Sequence, residues 1–228
     1  MKWLWAVWLS TVMVLLADGI NVNILSNSIV MGSIQGKVTT KRANRQLMCT
    51  PFKTIEIGIP LELRLTQSSS CHIQLEAQSD LLDRIDLKLE GGALIVDTSE
   101  SLVATQPILL HVAIPHLNDL KLTSVATVYI KEYQEDHLNI FLDGASEIFW
   151  DGGSIGELFL HLDGSYTLHF TNLLVDRAEV IAEGSGEIVL ENVKSLNVNL
   201  SDTVTMRYGG HPKIIKKELN DLAELIKI

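Results

Sequence analysis

An all-β fold of stacked strands is what the sequence predicts, on three observations. Five segments between Leu120 and Tyr208 superpose without gaps, their starts 20, 20, 20 and 18 residues apart. A fixed period of that size marks a stacked array. Within each segment apolar residues alternate with mixed ones on both sides of a small turn, which is the pattern of strands with one buried face. Gly144, Gly164 and Gly184 recur at that turn, where a positive φ is easiest for glycine.

The alternation sorts the apolar residues into four columns. The first holds Leu120, Ile140, Leu160, Val180 and Val198, and the second Leu122, Leu142, Leu162, Ala182 and Leu200. Beyond the turn come Val128, Ile148, Leu168, Ile188 and Met206, then Ile130, Trp150, Phe170, Leu190 and Tyr208. Each segment reads either as a hairpin or as one rung of a parallel β-helix. Stacked rungs explain the column-by-column match better, because equivalent residues then lie about 4.8 Å apart on neighbouring strands. Tyr133, Ile155, Leu173 or Leu174, and Val193 would turn inward on a short third side.

Upstream, 55–59, 61–65, 72–77, 85–89, 94–97 and 108–114 read as shorter strands forming the first rungs and a cap. Downstream, Leu219, Leu222, Leu225 and Ile226 have helical spacing, so 216–228 is expected as a short amphipathic helical cap. An interaction tail is the alternative.

The start of the chain carries an address. Residues 1–19 combine Lys2, an apolar run and small residues at Ala17 and Gly19, the pattern of a cleaved secretory leader. The expected division is leader 1–19, linker 20–48 with a basic cluster at Lys37, Lys41, Arg42 and Arg45, β domain 49–215 and cap 216–228. Export places the mature protein in the periplasm or at the cell surface. Cys49 and Cys71 would there meet an oxidising compartment, and a bond between them would close a loop of about 22 residues, worth on the order of 3 kcal/mol. Two unrelated thiols are the alternative.

Charge and motifs exclude several functions. With 18 Lys+Arg against 28 Asp+Glu the net charge is −10, which argues against a nucleic-acid binder. Seven histidines show no His-Glu-x-x-His spacing. His161 and His169 face outward from one segment and could pair on a metal, although solvated surface histidines are the commoner case. Ser185 lies in Gly-Ser-Gly, which lacks the Gly-x-Ser-x-Gly spacing of a nucleophile elbow. No catalytic residue is assigned, and the chain reads as a non-enzyme.

Two columns are the binding candidates. Asp143, Asp163 and Glu183 occupy equivalent turn positions. Carboxylates stacked about 5 Å apart repel by roughly 1 kcal/mol per pair near a surface. Either calcium bridges them, or they are solvated and accept turn amides. Beside them runs an outward column of Tyr129, Phe149, His169 and Val189, with Phe141 and Phe159 nearby. A row of exposed aromatics suits a sugar or a protein partner.

Short motifs place the chain near a known family. It shows Phe52-Lys-Thr-Ile55, Ile114-Pro-His-Leu117, Gly184-Ser-Gly-Glu-Ile188 and Tyr208-Gly-Gly-His-Pro212. This set resembles the head GIN domain family of exported bacterial "putative auto-transporter adhesins", over about 52–212. Thr123-Ser-Val-Ala and Ser201-Asp-Thr-Val depart from its pattern in lacking the glycine. The resemblance implies a right-handed parallel β-helix and adhesion-type binding of an envelope protein or glycan. A structural or self-assembling envelope element is the second function class. A carbohydrate-acting enzyme is a remote third.

Overall fold

The computed structural model describes residues 41–228. The expected leader and most of the expected linker lie outside the described residues. Thirteen strands follow in order: β1 (Arg42–Leu47), β2 (Thr54–Ile57), β3 (Leu61–Gln67), β4 (His72–Gln78), β5 (Asp86–Glu90), β6 (Ala93–Asp97), β7 (Leu109–Ile114), β8 (Asp119–Leu122), β9 (Ala126–Ala182), β10 (Ser185–Leu200), β11 (Thr203–Tyr208), β12 (Lys213–Leu219) and β13 (Glu224–Lys227). One 3₁₀ turn, Leu82–Arg84, interrupts them. Arg42–Leu47, at the end of the expected linker, is thus a strand that pairs with β4.

All thirteen strands join one sheet, curled nearly closed around a single core. Its order runs β1-β4-β7-β3-β9-β8-β2-β6-β5, with β10 also on β9, β11 and β12 on β10, and β13 on β11. Strand directions are mixed. The pairs β1/β4, β4/β7 and β5/β6 are antiparallel, and the other pairs are parallel.

This corrects the expected right-handed parallel β-helix with its helical cap. Of the antiparallel joins, β5/β6 arises where the connection is too short for a crossover, whereas β1/β4 and β4/β7 bring together strands distant in the chain. Gly91 and Gly92, with φ of 60° and 80°, form the two-residue turn between β5 and β6. Such a turn can only reverse the chain.

The helical cap fails for a related reason. Strands β10 and β11 offer free backbone groups, and 213–219 and 224–227 satisfy them as β12 and β13. Leu219 sits beside Leu200 and Leu225 beside Met206, while Leu222, in the intervening turn, is 75% exposed. The 219/222/225/226 spacing therefore records two strands and a turn. A lone helix of that length is marginal in water, whereas strand pairing also covers an open sheet edge.

The inward columns behave as the alternation requires. All their members are buried except Tyr208, which is half-buried. On the third side Leu173 points in and Leu174 out, with Tyr133, Ile155 and Val193 buried. The long β9 bends at positive φ residues that include Glu132, Gly144, Gly153, Gly164 and Asn172. Its pairing with β10 keeps a 20-residue offset from Ser185↔Ser165 to Leu190↔Phe170, then shifts to 18 from Asn192↔Leu174. That slip accounts for the short last spacing.

Candidate binding surfaces

Tyr129, Phe149 and His169 form one stack. Ring centroids are 5.5 Å apart between Tyr129 and Phe149 with planes at 17°, and 5.8 Å between Phe149 and His169 at 7°. Strand register extends the row to His111 and Arg64 on one side and Val189 and Arg207 on the other. No carboxylate lies in it. Arg64 pairs with Glu62 at 2.7 Å, and Arg207 with Glu187, so both flanking cations are already balanced. Lys131, Asp151 and Thr171 line the other wall of an open depression of about 340 Å³ along the stack.

The row is firmly backed. One residue further along each segment, Trp150 and Phe170 point into the core, where Tyr133, Trp150 and Phe170 meet edge to face at 6.3 and 6.0 Å. The Trp150 indole N–H donates to the Gly152 carbonyl at 2.9 Å, and the Tyr133 hydroxyl to that of Ile114 at 3.4 Å. Burial, and secondarily Glu135, raises the Tyr133 phenol well above its usual range.

Phe141 and Phe159 do not join that stack. They gather instead with His161, at 6.0 Å between the phenylalanines and 6.3 and 6.4 Å to the imidazole. Sequence reasoning placed five aromatic positions beside one column and missed His161 as a partner. Both Phe141 and His161 lie on strands before the glycine turn, whereas Phe149 and His169 lie after it. The turn splits the aromatics into two surfaces and separates His161 from His169.

At the acidic turn the backbones of successive segments pack against one another, at Gly164 on Gly144 and Gly184 on Gly164. Asp143, Asp163 and Glu183 are exposed. Among the described residues no group of three or more His, Cys, Asp or Glu side chains is placed to hold a metal ion. Asp202, at the fourth turn, accepts the Gly184 N–H at 2.9 Å and itself has a φ of 57°, a conformation Asp tolerates. Beneath it the Tyr166 hydroxyl donates to the Glu183 carbonyl at 3.1 Å. Burial and then Asp163, Asp202 and Glu183 raise the Tyr166 phenol.

Cys49 and Cys71 are disulfide-bonded, their Cα atoms 5.9 Å apart. They lie just after β1 and just before β4, where Leu47 pairs with Ile73. The bond ties the sheet's β1 edge to its neighbour.

Known proteins share this architecture. The family described as "Putative auto-transporter adhesin, head GIN domain" matches residues 51–212. The chain belongs to this family. Among solved structures, a putative adhesin from Bacteroides fragilis aligns with a TM-score of 0.67 at 17% identity, covering 84% of this chain and 99% of that one. A putative lipid binding protein from Parabacteroides distasonis aligns with a TM-score of 0.51 at 16% identity, covering 83% and 97%. These likenesses are of fold. No curated protein matches the chain.

The head GIN motifs themselves are packing devices. In Gly184-Ser-Gly186 a Cβ on Gly184 would lie 2.3 Å from the Gly164 carbonyl oxygen, and one on Gly186 would lie 2.0 Å from the Tyr166 ring. In Tyr208-Gly-Gly, a Cβ on Gly209 would lie 2.1 Å from the Glu191 carbonyl oxygen. The motif that marks a head GIN chain thus lets backbones and one tyrosine close up. No helix among the described residues is long and apolar enough to cross a membrane.

Proposed function

We propose that this head GIN chain is an exported, non-catalytic binding domain of the adhesion type, contacting a protein partner through the Tyr129–Phe149–His169 row. The observation that carries the reading is the parallel stacking of those three rings. Rings packed face on face cover one another's flat surfaces and present their edges, which suits interdigitation with another protein's side chains. A platform for sugar stacking needs an uncovered face. The aromatic and arginine content of the row is that of interface centres, and the edge-to-face residues behind it hold it in shape before any partner arrives.

Export is supported by the leader pattern of residues 1–19 and by the cysteine bond. The non-catalytic reading rests on the family's description and on a surface of rings and balanced ion pairs.

The test uses fluorescent chain titrated onto intact cells of the source bacterium and of its neighbours, with and without protease shaving. Phe149→Ser should weaken retention about tenfold or more at an unchanged melting temperature, and shaving should abolish it. Equal retention of the variant would remove the row from this role.

A further inference from the structure

We infer that the surface beside Phe159 is a second site, independent of the aromatic row, that takes a neutral saccharide. It is a depression of about 290 Å³ lined by His137, Asn139, Glu157, Phe159, Arg177 and Glu179, with Leu158 at its base. Two neighbouring columns build it, three strands wide: 137, 157 and 177 in one, and 139, 159 and 179 in the other. One apolar ring is therefore bordered by an imidazole, a carboxamide, two carboxylates and a guanidinium. That is the inventory a sugar requires, with an apolar surface for its C–H face and planar groups for its hydroxyls.

The charges decide the class of sugar. His137 pairs with Glu157 at 3.0 Å, and Arg177 with Glu179 at 4.0 Å. The guanidinium is thus balanced within the site, and nothing remains to attract an anion. A polyhydroxylated neutral ligand can use both members of such pairs as donors and acceptors without separating charge.

The site is also oriented in advance. The Thr54 hydroxyl donates to Asp119 at 3.1 Å, and the Asn139 amide donates to the other oxygen of the same carboxylate at 2.9 Å. This fixes which end of the carboxamide faces Asp119 and leaves the Asn139 side-chain oxygen as an acceptor. Phe159 meets Phe141 at 59° and His161 at 37°, so no parallel ring covers its face. In that respect it is the opposite of Phe149.

The purified chain should be applied to a printed panel of neutral hexose and N-acetylhexosamine oligosaccharides beside sialylated and uronic-acid ones. The strongest neutral ligand is then titrated by calorimetry. Binding is expected on neutral glycans and should fall about tenfold or more in Phe159→Ala and in Arg177→Ala. The exposed Arg177 variant keeps the test open if Phe159→Ala fails to fold. Phe149→Ser should bind the saccharide like wild type, which separates this site from the aromatic row. The inference is overturned if the panel shows no neutral binding, if only acidic glycans bind, if affinity survives both substitutions, or if Phe149→Ser loses it equally.

Discussion

At Gly164 a single hydrogen atom decides whether neighbouring turns can close. A Cβ there would lie 2.2 Å from the Gly144 carbonyl oxygen, at a φ of 104°. Gly164→Ala should therefore cost about 3 kcal/mol or more in a denaturant titration, from strain and overpacking together. Gly91→Ala is the contrasting case. Its φ is 60° with nothing within 4 Å, so strain alone applies and about 1 kcal/mol is expected. Equal losses would mean the turns do not stack backbone on backbone.

Tyr133 and Tyr166 set the alkaline limit. Both phenols are raised in the fold, so above the ordinary tyrosine pKa near 10 the unfolded chain releases protons that the folded chain keeps. Their contribution is complete below that pH and is lost progressively above it. Melting temperature should fall steeply above about pH 10, and less steeply in the Tyr133→Phe/Tyr166→Phe chain. An identical slope in both chains would show that other groups govern alkaline unfolding.

Between elements, the alternation of buried and exposed positions carries the energetics. Leu162 is 1% exposed in the inward column, and Leu162→Asp adds an unpaired carboxylate to the loss of a leucine. The cost should be on the order of 5 kcal/mol or more, a large share of a typical total. His161→Asp, one residue away on the exposed side, should be mild by the same thermal melt. The bond closing 22 residues between Cys49 and Cys71 should contribute about 3 kcal/mol. Serine at both positions should lower the melting temperature, with loss of protection in hydrogen exchange concentrated in β1 and β4.

For the whole molecule the question is how an incompletely closed sheet ends. Strand β12 pairs with β10 alone. It carries Lys213, Lys216 and Lys217 and a register shift opposite Leu196/Asn197, and Lys217 lies beside Val198 of an inward column. Lysines, a bulge and a charge on the inward row are the features that blunt strand edges. The purified chain should therefore keep a constant mass on dilution in light scattering, and Lys216→Val/Lys217→Val should make mass rise with concentration. A wild-type mass that already rises with concentration would mean the edge is open.

Strand existence, the inward columns and the glycine turn are all legible in the chain, because period-two alternation is a local property. Leu160, Leu162, Leu168 and Phe170 announce their burial within eleven residues of sequence. Alternation does not say which strand lies alongside or in which direction. Gly91-Gly92 reverses β5 onto β6, and the free groups of β10 and β11 draw 213–227 into strands in place of a helix. The binding surfaces divide in the same way. Outward-facing aromatics at Tyr129, Phe149 and Phe159, of which the two phenylalanines are half-buried, are visible one by one. That Phe149 stacks with Tyr129 and His169, while Phe159 turns to Phe141 and His161, depends on which side of a glycine turn each residue falls. Hydrogen bonds such as Thr54 to Asp119 join residues 65 positions apart. Contacts at that separation exist only once the sheet has formed, because only the backbone pairing of distant strands brings them within reach.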